Sequence, residues 1–214
     1  MNINQWMAGT DSSEERDWRR VAIFAGLVAC FVYPVISYVP ISNRQLQVLL
    51  GASFGPALAI ASIGLGHILR KTSSAITLEL ATISNVLAGA LVTAMIIIQL
   101  AVNYSTVPPA GEELTSFVVR RIWDVILGLD VSFDVFIGIG TTLFGLNMLR
   151  DPRFGRIIGW AGMVIGIVIL LGFNFYTFPV PPRDAGLFDP GPVTGLWYLA
   201  VVILLIRIPR ISKA

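Results

Sequence analysis

Six long apolar stretches divide this chain, and each is about as long as a helix that crosses a lipid bilayer. They cover 21–41, 48–69, 78–102, 122–149, 157–178 and 193–208. A transmembrane helix needs about 20 mainly apolar residues, because each residue advances about 1.5 Å along the helix axis. The connecting segments are short and polar, so little chain is left for a domain outside the membrane. The pattern predicts an all-α fold, a polytopic membrane protein built as a bundle of six transmembrane helices.

The composition agrees with lipid as the solvent for most of the chain. Hydrophobic residues make up 55% of the 214 residues, charged residues make up 13%, and the mean hydropathy is +0.77. Roughly a quarter of the residues in an ordinary soluble domain are charged. A soluble fold of this composition would lack polar surface. The formal net charge of +2 does not indicate a nucleic-acid partner, because the basic residues cluster at the ends of the apolar stretches.

The basic residues also predict an orientation. Lys and Arg accumulate in the cytoplasmic segments of membrane proteins. With the N-terminus inside, eleven of the fifteen fall on the cytoplasmic side: Arg16, Arg19, Arg20, Arg70, Lys71, Arg150, Arg153, Arg156, Arg207, Arg210 and Lys213. The outer side then holds only Arg44, Arg120, Arg121 and Arg183. We therefore expect a multi-pass protein of the cell membrane, plasma or inner, with both termini in the cytoplasm.

The two ends of the chain are more polar than the rest. Ser12 and Glu15 match a capping box, in which side chains satisfy the free amides that open a helix. Residues 1–20 are therefore predicted to form a short N-terminal interfacial helix on the cytoplasmic surface. Residues 21–208 form the predicted six-helix transmembrane domain, and residues 209–214 form a basic cytoplasmic tail.

Cysteine and histidine are too scarce for several kinds of site. Cys30 is the only cysteine and His67 the only histidine, so the sequence holds no CxxC pair, no HExxH motif and no multi-histidine metal centre. It also lacks a GxSxG elbow, a P-loop and a GxGxxG fingerprint. We predict no cofactor, and the sequence favours a function other than catalysis.

The fourth apolar stretch carries the main chemical signal, because it contains Asp124, Asp130 and Asp134. On a helical wheel Trp123, Asp130, Asp134 and Thr141 fall within about 40° of one another. A charge at the bilayer centre costs roughly 2.5–3.5 kcal/mol. Protonation, water in a cavity or a bound cation would each offset this cost. Two interpretations stay open: aspartates that tie helices together, or a site for a proton, a metal cation or an organic cation.

Two further groups of residues complete the predicted site. In the third stretch Asn85 lies on one face with Thr82 and Gly89, and Gln99 lies just beside that face. On the outer side, aromatic residues such as Tyr176 and Trp197 gather near the ends of several stretches. Ring faces attract organic cations, although anchoring in the headgroup layer explains aromatic residues at this depth equally well. The predicted ligand-binding or ion-binding set is Asp124, Asp130, Asp134, Asn85, Gln99, Tyr176 and Trp197.

Glycines spaced four apart predict close helix packing. Gly51 and Gly55, Gly155 and Gly159, and Gly162 and Gly166 each share a helical face. Small residues at this spacing let helix backbones approach closely in lipid. The spacing fits packing within one molecule or a homo-oligomer interface.

The fourth to sixth stretches also carry a resemblance. The runs are Asp134-Val135-Phe136-Ile137-Gly138, Leu143-Phe144-Gly145-Leu146 with Arg150, and Ile158-Gly159-Trp160-Ala161-Gly162. They resemble small six-span prokaryotic integral membrane proteins grouped as a family of unknown function. The resemblance implies the six-span topology over most of the chain. It implies no mechanism and no site residue.

Three hypotheses of function follow from the sequence. The first is an integral membrane protein that binds or passes a small solute, cation or proton through an acidic site in the fourth helix. The second is a structural or regulatory membrane subunit that packs against a partner protein. The third is an intramembrane lipid hydrolase, which requires a metal near Asp124, Asp130 or His67.

Overall fold

The protein is all-helical over the residues that the computed structural model describes, which are 13–104, 112–172 and 191–208, without the side chains of residues 112–116 and 169. We number its helices α1 (Ser13–Tyr38), α2 (Arg44–Leu69), α3 (Ala75–Tyr104), α4 (Glu112–Met148), α5 (Gly155–Val164) and α6 (Gly191–Arg207). A π-helical segment, Ile165–Gly172, continues α5 without a break. The prediction of an all-α fold is confirmed.

Four of these elements are long and apolar enough to cross a membrane. They are α1, α2, α3 and the continuous run of α5 with its π-helical segment, and α6 is a shorter apolar helix of 17 residues. α4 is the longest helix, with 37 residues. Length and composition therefore support the membrane prediction for four helices. The count of six spans and the orientation of the termini stay predictions.

The helix boundaries differ most from the predicted stretches at the N-terminus and at α4, which begins at Glu112, ten residues before the predicted fourth stretch. Residues 13–20 belong to the same continuous helix as the predicted first stretch, so no break separates a surface helix from it at residue 21. α2 begins where the sequence chemistry indicates, because the Oδ1 atom of Asn43 accepts a hydrogen bond from the amide of Leu46 at 3.0 Å. A side chain of this kind satisfies one of the free amides that open a helix.

The helices form a ring in chain order. Each helix packs along the next one, and α6 packs against both α5 and α1, which closes the ring. At one end of the bundle Arg19 in α1 donates a hydrogen bond to the carbonyl of Ile208, just after α6. We call this the terminal end; it holds the start of α1, the α2–α3 and α4–α5 turns and the end of α6. The opposite, or far, end holds the α1–α2 turn and the starts of α4 and α6.

Glycines let neighbouring backbones touch inside the ring. A Cβ atom added to Gly55 in α2 would lie 2.0 Å from the carbonyl oxygen of Gly89 in α3. A Cβ atom added to Gly159 in α5 would lie 2.9 Å from the carbonyl oxygen of Gly145 in α4. Gly55 and Gly159 therefore lie at helix contacts, as their spacing predicts.

Gly155 has a different role from the packing role that its spacing suggests. An added Cβ atom there would meet nothing within 4 Å, so no close contact depends on this glycine. Its φ angle is +76°, a left-handed conformation that only glycine adopts without strain. Gly155 thus allows the chain to turn from the α4–α5 connection into α5.

Candidate functional site

A cavity of about 790 Å³ occupies the far half of the ring. Helices α1, α2, α3, α4 and α6 contribute to its wall, and the π-helical segment contributes Leu170. The polar and aromatic lining residues are Phe31, Tyr33, Ser37, Tyr38, Gln47, Phe54, Gln99, Asn103, Trp123, Asp130, Phe133, Asp134, Thr194 and Tyr198. Binding sites for small organic ligands typically have about 300–1,000 Å³ of space. The cavity therefore has room for a small organic ligand.

Two carboxyl groups lie on the α4 wall of this cavity. Asp130 and Asp134 are one helical turn apart, and Asp134 is only 8% exposed. Both residues already interact with other groups of the protein. An ionised carboxylate has about four acceptor positions, so such interactions leave room for a ligand. The described lining residues include no lysine, arginine or histidine.

Neutral polar groups and aromatic rings face the same space. Gln99 and Asn103 line it from α3, and their amides offer both donors and acceptors. The rings of Tyr33 and Phe54 lie 5.4 Å apart between centroids and are tilted by 36°. With Phe133 they give the cavity ring faces, which attract cations electrostatically.

A buried layer of hydrogen bonds crosses the middle of the bundle. Asn85 in α3 is fully buried, and its Nδ2 atom donates to Ser62 Oγ at 2.9 Å and to Tyr198 Oη at 2.6 Å. Thr141 Oγ1 in α4 lies 3.3 Å from the same Tyr198 oxygen. Tyr198 also lines the cavity. The layer therefore joins α2, α3, α4 and α6 where the cavity ends.

An ionic cluster ties three segments together at the terminal end. Arg153, in the α4–α5 turn, is bound to Asp151 through its Nε and Nη2 atoms and to Glu15 of α1 at 2.7 Å from Nη1. Its Nη2 atom also donates to the carbonyl of Ile68 at 2.7 Å, near the end of α2. The Asp151 side chain is fully buried and accepts a further hydrogen bond from Thr72 at 2.9 Å.

The surroundings of Arg153 keep it charged. Burial alone would lower its pKa, but the hydrogen bond and the negative charge of Asp151, followed by those of Glu15, outweigh burial and raise the pKa above its ordinary value. A buried charge is tolerated when it is paired and hydrogen-bonded. The cluster thus holds the terminal end closed with a permanent charge at its centre.

No known protein family, curated protein or solved structure matches this chain. The resemblance to six-span membrane proteins therefore stays a prediction.

The structure brings only part of the predicted site together. Asp130, Asp134 and Gln99 line the cavity. Asn85 lies in the buried layer and binds Ser62 and Tyr198. Tyr176 lies outside the described residues.

Asp124 and Trp197 lie apart from the cavity lining. Asp124 pairs with Arg121, one turn earlier on α4, with 3.3 Å between Nη1 and Oδ2. Trp197 is buried, packs against Gly162 and donates from Nε1 to the carbonyl of Ile158 at 2.9 Å. Its ring thus joins α6 to α5 and is used for packing.

His67 lies at the other end of the bundle from the two cavity aspartates. It stacks on Trp18 of α1, with ring centroids 4.1 Å apart and planes 4° from parallel. Within the described ranges no group of three or more His, Cys, Asp or Glu side chains is placed to hold a metal ion. The described residues therefore give the hydrolase hypothesis no support.

Sequence reasoning missed the ionic cluster, and of the buried layer it singled out only Asn85 and Thr141, as residues of polar helix faces. The charged turn around Asp151 and the capping residue Glu15 are visible in the sequence, but each has an adequate local explanation there. Ser62 and Tyr198 carry no signal, because single polar residues in apolar stretches occur for many reasons. Both groups depend on contacts between helices that are far apart in the chain.

Proposed function

We propose that this chain is a six-span protein of the cell membrane, with both termini in the cytoplasm, that binds a small cation in the cavity at its far end. The observation that carries the proposal is the position of Asp130 and Asp134 on the wall of one cavity of about 790 Å³. With this orientation, the cavity faces the outside of the cell.

The chemistry of the wall favours a positively charged occupant. Two carboxyl groups within one turn repel each other if both are ionised, and a cation between them relieves this repulsion. Electrostatic attraction is stronger in such a site than in water, because the surrounding dielectric constant is low. The rings of Tyr33, Phe54 and Phe133 add attraction to a cation through their faces.

Contacts between the cavity and the terminal end support binding of the cation from the far side. The buried layer around Asn85 lies below the cavity, and the Arg153 cluster joins three segments at the terminal end. Passage of a solute through the bundle would require both groups to separate. These contacts support a route into the cavity from the far side.

Titration of the protein in lipid nanodiscs with tetramethylammonium, sodium and lithium ions tests the proposal. We expect Asp134→Asn and Asp130→Asn to weaken binding of the preferred cation by about 30-fold or more, because removing one partner of a buried charge pair costs at least about 2 kcal/mol. Asp124→Asn is the matched control, since Asp124 is on the same helix and pairs with Arg121 outside the cavity lining.

Equal binding by wild type and both cavity variants would overturn the proposal. The aspartates would then act in joining helices, which is the role expected of a structural or regulatory subunit. Copurification of a stoichiometric membrane partner would support that second hypothesis.

A further inference from the structure

The cavity wall reaches the outer surface of the bundle between α1 and α6. Phe31 in α1 and Leu196 in α6 both line the cavity, yet 59% and 67% of their surfaces are exposed. A residue that borders both the cavity and the outer surface forms a wall one side chain thick, and an opening between α1 and α6 at this level would join the two. In a membrane bundle this surface faces the acyl chains of lipid.

The seam between α1 and α6 is closed below this opening. An added Cβ atom at Gly26 in α1 would lie 2.6 Å from a side-chain methyl group of Val202 in α6, and Arg19 binds the carbonyl of Ile208 lower down. Higher up, Cys30 Sγ lies 3.9 Å from the carbonyl of Gly195. At Gly195 an added Cβ atom would meet nothing within 4 Å. The missing side chain therefore leaves open space beside Leu196.

We propose that this opening is a lateral portal and that the occupant is an amphipathic organic cation, an ammonium group carrying an apolar tail, drawn from the leaflet at the far end. This inference rests on the proposed cation site and adds the class of ligand and its route. The head group would lie beside Asp134, and the tail would follow the apolar wall towards Phe31 and Leu196.

The size and lining of the cavity fit such a molecule better than a compact ion. A tetramethylammonium ion fills a small part of about 790 Å³, and the remaining wall is mainly apolar, including Leu58, Ile96 and Leu199. Burial of an apolar tail against these side chains removes it from water and adds affinity. A cation without an apolar tail, entering from water at the far end, would not bury this apolar wall.

A homologous series of alkyltrimethylammonium ions, from methyl to octyl and below their micellar concentrations, tests the class of ligand. Binding to the protein in nanodiscs is corrected for partition into protein-free nanodiscs. We expect affinity to rise about fourfold per added methylene group over the first several, the equivalent of ~0.8 kcal/mol for each buried CH₂. Affinity that is flat or falls with chain length would overturn the amphipathic ligand.

The route is tested with Gly195→Leu, which places a side chain in the open space of the portal. Gly128→Leu is the matched control, because an added Cβ atom at this α4 glycine also meets nothing within 4 Å and Gly128 does not line the cavity. We expect Gly195→Leu to slow association of the octyl cation about tenfold and to slow that of tetramethylammonium less, because Gly195 also lines the cavity. Equal association rates in wild type and Gly195→Leu would overturn the portal.

The results separate failure of this inference from failure of the proposed function. If tetramethylammonium binds in an Asp134-dependent way but tail length has no effect, the cation site stands and the amphipathic ligand is wrong. If no member of the series binds in an Asp134-dependent way, both fail. A larger effect of Gly128→Leu than of Gly195→Leu would also contradict the portal.

Discussion

Asp134 and Asp124 lie on the same helix and have different surroundings. Asp134 is buried in the wall of a cavity, whereas Asp124 is paired with Arg121 near the far end of α4. Sequence spacing predicts which residues share a face of one helix, but it does not predict how far along that helix a cavity extends. The three aspartates could therefore be grouped from the sequence, and their separation into two environments required the packed structure.

The glycine contact between α2 and α3 gives a prediction at the scale of single residues. Gly89→Ala should lower the free energy of unfolding by about 1–3 kcal/mol, because extra atoms in a well-packed contact force the neighbouring groups apart. The added methyl group would lie 2.5 Å from the carbonyl oxygen of Gly55. Thermal unfolding in detergent, with Gly128→Ala as the control, measures the effect. Equal melting temperatures for the two variants would contradict the close contact.

Trp197 shows a second limit of prediction at this scale. Its position near the start of an apolar stretch predicts a ring at the membrane surface. In the structure the ring is buried against Gly162, whose lack of a side chain makes space for it, and its Nε1 atom binds Ile158. The complementary glycine lies 35 positions earlier, so no local pattern could link the two residues.

At the scale of helices and turns, Arg153 is the residue whose removal should have the largest effect. Arg153→Gln leaves the fully buried Asp151 without its charged partner, and breaking a buried ion pair in this way typically costs about 3–5 kcal/mol. Arg150→Gln is the control, because Arg150 lies in the same turn and is exposed. Chemical unfolding in mixed micelles measures the difference. Similar loss of stability in both variants would show that the cluster is not required.

The pKa of Arg153 determines how the contribution of the Arg153–Asp151 ion pair to the free energy of unfolding depends on pH. Its pKa in the folded protein is raised above the ordinary value of an arginine, so the folded state holds the proton more tightly than the unfolded state. The contribution is then fully present below the pKa of the unfolded state and is lost only as the pH rises through the pKa of the folded state. Titration of Arg153 should therefore cause no loss of stability at the lower pH values at which membrane proteins are purified.

Helices were the elements that the sequence predicted best. Long apolar stretches mark α1, α2 and α3 clearly, because lipid demands continuous internal hydrogen bonding. Two local features had no such signal. The π-helical segment, Ile165–Gly172, has the same apolar composition as an α-helix, and the left-handed φ of Gly155 depends on the geometry of one turn.

The topology of the whole molecule gives a separate prediction. In a Cys30→Ser background, a cysteine at Ser42, in the α1–α2 turn, should react with a membrane-impermeant maleimide added outside intact cells. A cysteine at Arg150, in the α4–α5 turn, should react only after permeabilisation. Both native residues are exposed at opposite ends of the bundle. Labelling of the two positions from the same side, or the reverse pattern, would contradict the predicted orientation.

At the scale of the whole molecule, composition predicts that lipid surrounds the chain and that the fold is all-α, but it does not predict the cavity. Among the described residues, the cavity in the far half of the ring follows from how the helices pack together, and the same apolar faces would also suit a filled bundle. The acidic residues on α4 were the one sequence signal for a polar interior. Their meaning depends on whether a ligand occupies the space beside them.

The most direct measurement is the location of a heavy-atom cation in crystals of the protein. Tetraphenylarsonium is a lipophilic cation, and its arsenic atom can be located by anomalous scattering. We expect an anomalous peak inside the far half of the ring, beside Asp134 and within about 6 Å of at least one aromatic ring centroid. A peak found only on the lipid-facing surface, or a cavity filled by protein side chains, would contradict the account.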